Sequence, residues 1–257
     1  MFAYLQNLPL NVSIWLIVGT GIVLFILGSS VINSIYTPDE LAINNEVAGA
    51  KFTFLAQTVM TLVGFVLVDS ATRFVGFQFA ADREIAAITR LETLHTVYPG
   101  SMDKLRELKV AYIKSVMHGE WRTLEDGAGS PETAKALETW FRAYVSMKPG
   151  NDVERSVLNI YGRVFQEMSD ARLRRISDSS SPFEFLCQVC VVIAGLITIV
   201  FCWFFGSTNF LMKIVLGGLL VGATFALIAL GIVLSSPVRG DLAYTPDIYQ
   251  KLIDVAH

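Results

Sequence analysis

FLCQVCVVIAGLITIVFCWFFGSTNFLM, residues 185–212, holds no charged side chain. After the single Lys213, IVLGGLLVGATFALIALGIVLSSPV at 214–238 is again uncharged. A helix needs roughly 20 apolar residues to cross the hydrocarbon core of a bilayer. The two runs, parted by Gly206-Ser207-Thr208-Asn209, therefore read as a pair of membrane-spanning helices. Working outward, no charge occurs from Met1 to Pro38, and Phe52 to Val68 is uncharged too. The latter run is short, but Ala48 to Ala50 extend it and Lys51 can snorkel to the interface. Spans are expected at about 12–34, 48–70, 183–206 and 209–235. The first lacks a basic leader and is longer than the apolar part of a signal peptide, so it reads as a retained span.

Only 17% of the 257 residues are charged and 53% are hydrophobic. Soluble chains carry about 25% charged residues. The expected class is an all-α integral membrane protein: a first helix pair in residues 1–81, a helical domain in 82–181, and a second pair with a short tail in 182–257. A net charge of −3 gives no reason to expect a nucleic-acid partner. Of 20 Lys and Arg, all but Lys51 and Lys213 fall on the side holding both termini and the central domain. Basic residues near spans stay cytoplasmic, so that side is expected to face the cytoplasm. The domain reads as helices from Asp82, from Ser101, from the start signal Ser130-Pro131-Glu132, and from Asp152 to about Ser177. Ile85, Ile88 and Leu91 mark one apolar stripe; Val153, Ile160, Val164 and Met168 mark another. The second span is expected to continue unbroken into this domain.

No phosphate-binding loop, metal-ligand cluster or nucleophile elbow is present, so neither an enzyme, a cofactor nor a metal is expected. His95 and His118 read as solvated or capping residues, and Cys187, Cys190 and Cys202 as small apolar ones. The second span is the most polar. Gln57, Thr61, Gly64 and Val68 share one face, which either a water-filled conduit or helix–helix hydrogen bonding would satisfy. Gly218 and Gly222 form a small-xxx-small face for close helix packing. The loop before the second span holds Asn44, Asn45 and Glu46, candidates for an outer mouth at which an acid also suits a helix start.

Asn44-Asn45-Glu46-Val47-Ala48-Gly49-Ala50-Lys51-Phe52 resembles the signature opening the second span of the bacterial bestrophin-like family. Arg83-Glu84 fits the same pattern, as does Pro237-Val238-Arg239-Gly240-Asp241-Leu242 in the tail, where Arg239, Gly240 and Asp241 form the motif. Bestrophins are oligomeric anion channels with four spans per subunit and a helical cytoplasmic region. The resemblance thus implies a homo-oligomer, a pentamer by analogy, passing small inorganic ions across the lipid bilayer. Two features depart from it. Residues 56–61 read AQTVMT where the family is more apolar, and Asp69 stands where an aromatic is usual. The bestrophin calcium-binding acidic cluster has no counterpart. Two functions follow: a channel lined by the second span, or a non-conducting scaffold or sensor acting through its cytoplasmic helices.

Overall fold

The computed structural model describes residues 2–6, 8–43, 45–97, 102–179, 182–207 and 209–254, and among these every regular element is a helix. In chain order they are α1 (Phe2–Gln6), α2 (Leu10–Ile35), α3 (Pro38–Ile43), α4 (Asn45–Val97), α5 (Asp103–Ser115), a π-helical turn (Val116–Glu120), α6 (Trp121–Leu124), α7 (Pro131–Val145), α8 (Asp152–Ser179), α9 (Pro182–Trp203), α10 (Phe210–Leu234) and α11 (Asp247–Asp254). The chain is an all-α membrane protein: α2, α4, α9 and α10 are each long and apolar enough to cross a bilayer. It divides into two compact units, residues 1–72 with 182–235, and residues 73–181 with 236–257.

In the membrane unit α10 lies along α2, and both contact α9. Val59, Val63 and Val66 of α4 join Phe25, Val191, Val221, Phe225 and Ile228 in one apolar core. Buried helices approach closely where one lacks a side chain: a Cβ on Gly217 would overlap the ring of Phe25. This differs from the expected packing face. Gly218 meets nothing within 4 Å, and Gly222 meets only Ile22 at an ordinary 3.5 Å. The short helix α3, where a plain loop was expected, brings the backbone of Leu41 and Ala42 against Gly206, leaving no room there for a Cβ. Cys202 is buried and Cys190 exposed, and none of the three cysteines is in a disulfide among the described residues.

The charged unit has its own core. Trp140 is fully buried, stands edge-on to Phe165 at 5.0 Å, and donates from its indole nitrogen to the Tyr161 hydroxyl at 2.8 Å. The start signal at Ser130 holds: its hydroxyl accepts from the Thr133 N–H at 3.4 Å, with Pro131 at the first turn. On α8 the buried stripe is Val157, Tyr161, Val164 and Met168, continuing through Arg172 and Arg175. Val153 and Ile160, expected on that stripe, are 59% and 40% exposed. The tail is more than an appendage. Gly240, at φ 80°, makes the turn that lets Tyr244 N–H reach the Pro237 carbonyl at 2.9 Å, and α11 places Tyr249 in the core.

His95 is a correction to the sequence reading. It is buried rather than solvated, because it falls four residues after Leu91 on the stripe that also holds Ile88. His118 does cap locally, its Nδ1 2.9 Å from the Lys114 carbonyl. Burial, then the charge of Arg106, lowers the His95 pKa to about 4, with Asp103 opposing. Glu92 lies 3.7 Å from its Nδ1, Lys109 pairs with the same carboxylate, and the Tyr161 ring packs 5.6 Å away. An unfolded histidine titrates near 6.5, so between about pH 6.5 and 4 the unfolded chain binds the extra proton. Stability should therefore fall on acidification through that window, by up to about 1.4 kcal/mol per pH unit. His95→Phe should flatten this part of the pH profile of urea denaturation; an identical slope in wild type and variant would dismiss it.

Candidate pore-lining face and the buried charge network

Along α4, apolar Val59, Val63 and Val66 recur at the spacing of one helix face and are 4%, 2% and 8% exposed. Gln57, Thr61, Gly64 and Val68 share the other side, and all four are exposed. At 3.6 residues per turn the two sets point roughly 160° apart. The core of the unit thus fixes which way the polar set turns. Phe54 and Phe65, 74% and 72% exposed, flank it. The threonine hydroxyls close onto their own helix: Thr58 donates to Phe54 O at 2.9 Å and Thr61 to Gln57 O at 2.8 Å. That satisfies the hydroxyls without a neighbouring helix. The Gln57 carboxamide makes no hydrogen bond among the described residues.

At the start of α4 the Asn45 carboxamide is engaged on both sides. Its Nδ2 donates to Gly206 O at 2.8 Å, and its Oδ1 accepts from Gly206 N–H at 3.1 Å. It staples α4 to the α9–α10 turn instead of presenting itself at a mouth. Asn44 and the side chain of Glu46 lie outside the described residues.

In the charged unit, five helical segments meet on buried charge. Glu84 of α4 is four residues before Ile88 on the buried stripe. Its Oε1 accepts from the Tyr112 hydroxyl at 2.6 Å; its Oε2 accepts from Arg175 Nε at 2.8 Å and the Tyr249 hydroxyl at 3.1 Å. Arg175 also reaches Glu120 of the π-helical turn at 3.2 Å, and Arg172 donates twice to that carboxylate, at 3.0 and 2.8 Å. The guanidinium of Arg175 lies 5.3 Å from the Trp121 ring. Burial alone would lower the Arg175 pKa, but Glu84, Tyr249 and Glu120 hold it raised, so it stays charged. Burial, then Glu84, raises the Tyr112 pKa, so that hydroxyl stays a donor. Two acids and two arginines balance, and the arrangement binds α4, α5, the π-helical turn, α8 and α11 together. Of the tail motif, Arg239 pairs with Glu125 at 3.5 Å. Sequence reading missed this network. Its signal was charge at stripe positions: Glu84 before Ile88 and Leu91, and Arg172 and Arg175 after Val164 and Met168.

The family model of the bestrophin-like domain matches residues 15–249. The chain belongs to the bestrophin-like family. Two crystal structures of variants of a bacterial bestrophin homologue from Klebsiella pneumoniae resemble it, each with a TM-score of 0.67 at 16% identity. One match covers 94% of this chain and 99% of that one; the other covers 92% and 98%. A further crystal structure, of a membrane protein, matches with a TM-score of 0.67 at 15% identity over 94% and 97% of the two chains. A search of curated proteins gives no match. At such identities the structural likeness speaks for a shared bestrophin-like fold. The Arg83-Glu84 pair that carried the sequence resemblance now has a physical role for its acid, which is the centre of the buried network.

Proposed function

We propose that this bestrophin-like chain is the subunit of a homo-oligomeric channel for small inorganic ions, its conduit lined by the outer half of α4. The observation that carries this reading is the exposed face of Gln57, Thr61, Gly64 and Val68, turned away from the valines that pack into the subunit core. A carboxamide on a bilayer-spanning helix must meet water or another chain. Four helices enclose no roomy passage alone, so copies arranged about an axis supply both the wall and the water; a closed ring follows from one repeated interface. By analogy with bestrophins, the proposed ring has five subunits. No catalytic step enters this function. The distribution of basic residues supports a topology with both termini and the helical unit in the cytoplasm, and the family analogy supports spans in a bacterial inner membrane. A reporter fused after His257 should then show cytoplasmic activity, and periplasmic activity would reverse the orientation.

The test is chemical access. With Cys187, Cys190 and Cys202 replaced by alanine, single cysteines at 57, 61, 64 and 68 should react with hydrophilic thiol reagents in the assembled protein. Reaction at these positions, together with current in planar bilayers under asymmetric salt, supports the channel, and the reversal potential names the ion. Protection at all four positions would move the conduit off α4. A monomer in detergent that carries no current would favour the scaffold reading.

A further inference from the structure

Lys213 is the one basic residue inside the last two apolar runs, and the structure does not bring it out into water. It stands one turn inside α10, roughly 5 Å along the helix from Phe210, and is 7% exposed. Its Nζ donates to the Asn33 side-chain oxygen at 3.0 Å and to the Trp203 carbonyl at 3.1 Å. An ammonium has three donors, so among the described residues one is left over. Among the described residues no carboxylate pairs with it. A positive charge held within a membrane-spanning unit without a counter-charge is costly, and such residues mark binding sites for an opposite partner.

Beside it lies a cavity of about 360 Å³ that Lys213 itself lines. The other walls are mostly apolar, with Phe25, Phe52, Phe205, Met212 and Leu220, and the hydroxyl of Ser207 in the lining already donates to the Asn209 carbonyl at 3.1 Å. Met212 and Leu216 at its rim are 54% and 61% exposed, so the cavity opens on the outer surface of the membrane unit. That volume lies in the range of small-ligand sites. One cationic donor at head-group depth, under aromatic walls that open onto an exposed apolar rim, matches an acidic head attached to an acyl chain. It suits a free anion poorly, since the Ser207 hydroxyl is already given to Asn209 and the rest of the lining is too apolar to replace that anion's water shell.

We propose that Lys213 and this cavity hold the head group of an anionic membrane lipid, its acyl chain lying over Met212 and Leu216. This site is separate from the face of α4 and does not depend on conduction. The lipid phosphate takes the third donor of the ammonium and supplies the missing counter-charge, while Asn33 and Trp203 keep the lysine aimed inward.

The test uses the full chain in detergent, with native mass spectrometry counting bound lipid and thermal unfolding read in parallel. Phosphatidylglycerol should be retained at least tenfold better than phosphatidylcholine and should raise the melting temperature, since a ligand of the folded state stabilises it. Glycerol 3-phosphate, the same phosphate without chains, should do neither. Lys213→Gln should lose the preference, and Lys213→Arg should keep it. Leu216→Trp fills the rim while leaving the bonds to Asn33 and Trp203 in place, so it should lose retention even if Lys213→Gln fails to fold. A purely structural lysine would leave lipid retention by Leu216→Trp at the wild-type value. Equal retention of the two lipids by wild type, unchanged retention in Leu216→Trp, or an equal melting shift from glycerol 3-phosphate would each overturn the proposal, the last in favour of a free-anion site.

Discussion

Arg175→Met should cost the charged helical unit about 3–5 kcal/mol, the penalty for leaving a buried charge without its partner. The variant keeps the volume of the side chain but strips Glu84 of the cation that pairs with it among the described residues. That carboxylate would retain the Tyr112 and Tyr249 hydroxyls, at 2.6 and 3.1 Å, while fully buried. Glu120 would keep Arg172 and lose its second partner. The damage is expected to spread along the network, loosening α11 through Tyr249 and the π-helical turn through Glu120. The comparison that isolates burial is Arg90→Met. Arg90 and Glu167 form a pair at 3.1 Å with side chains 65% and 58% exposed. Exposed pairs contribute about 0–1 kcal/mol, so that variant should stay close to wild type. Urea denaturation followed by circular dichroism in detergent measures both. Equal, small losses would mean that the buried charges are spectators.

The second large effect is expected on current. Gly64 is exposed and a Cβ on it would meet nothing within 4 Å, so a side chain there starts into open space in its own subunit. Gly64→Leu also removes a helix-interior glycine, which favours the helix by about 0.5–1 kcal/mol. The subunit should fold at least as well as wild type. In a ring, however, the substitution repeats once per copy and narrows the conduit with apolar groups, which exclude water from a pore. Single-channel conductance should fall roughly tenfold or more, as apolar constrictions do by dewetting, with assembly unchanged. Val59→Leu is the counterpart on the opposite face. Val59 is 4% exposed in the subunit core, so overpacking should cost about 1–3 kcal/mol of stability while leaving the conductance of folded channels alone. If Gly64→Leu conducts like wild type, α4 does not line the path.

The four spans were legible because the bilayer imposes a length and a polarity that any reader of residues 185–238 can count. The long α4 was legible too, since no proline or glycine pair interrupts its helical pattern before Pro99. The start of α7 followed from Ser130, Pro131 and Glu132, which act on their own backbone and need no partner. Local rules sufficed for all of these.

Tertiary structure alone decided the rest, because it concerns pairs of residues far apart in the chain. Nothing near Glu84 in sequence announces Arg175, 91 residues on, or Tyr249 in the tail. Asn45 looked like a residue for an open mouth until Gly206, 161 positions away, took both ends of its carboxamide. The close-packing glycine proved to be Gly217, beside the expected Gly218, because which side of α10 meets α2 depends on the rotation of whole helices. His95 and the stripe of α8 were misread for the same reason: period shows that a helix has an inner face, but the neighbour that covers it decides which face that is. By itself the sequence determined a four-span, all-helical membrane protein with a polar second span. Only the packing of Val59, Val63 and Val66 decided that the polar side of that span turns outward from the subunit, since burial belongs to contacts between helices and not to any one of them.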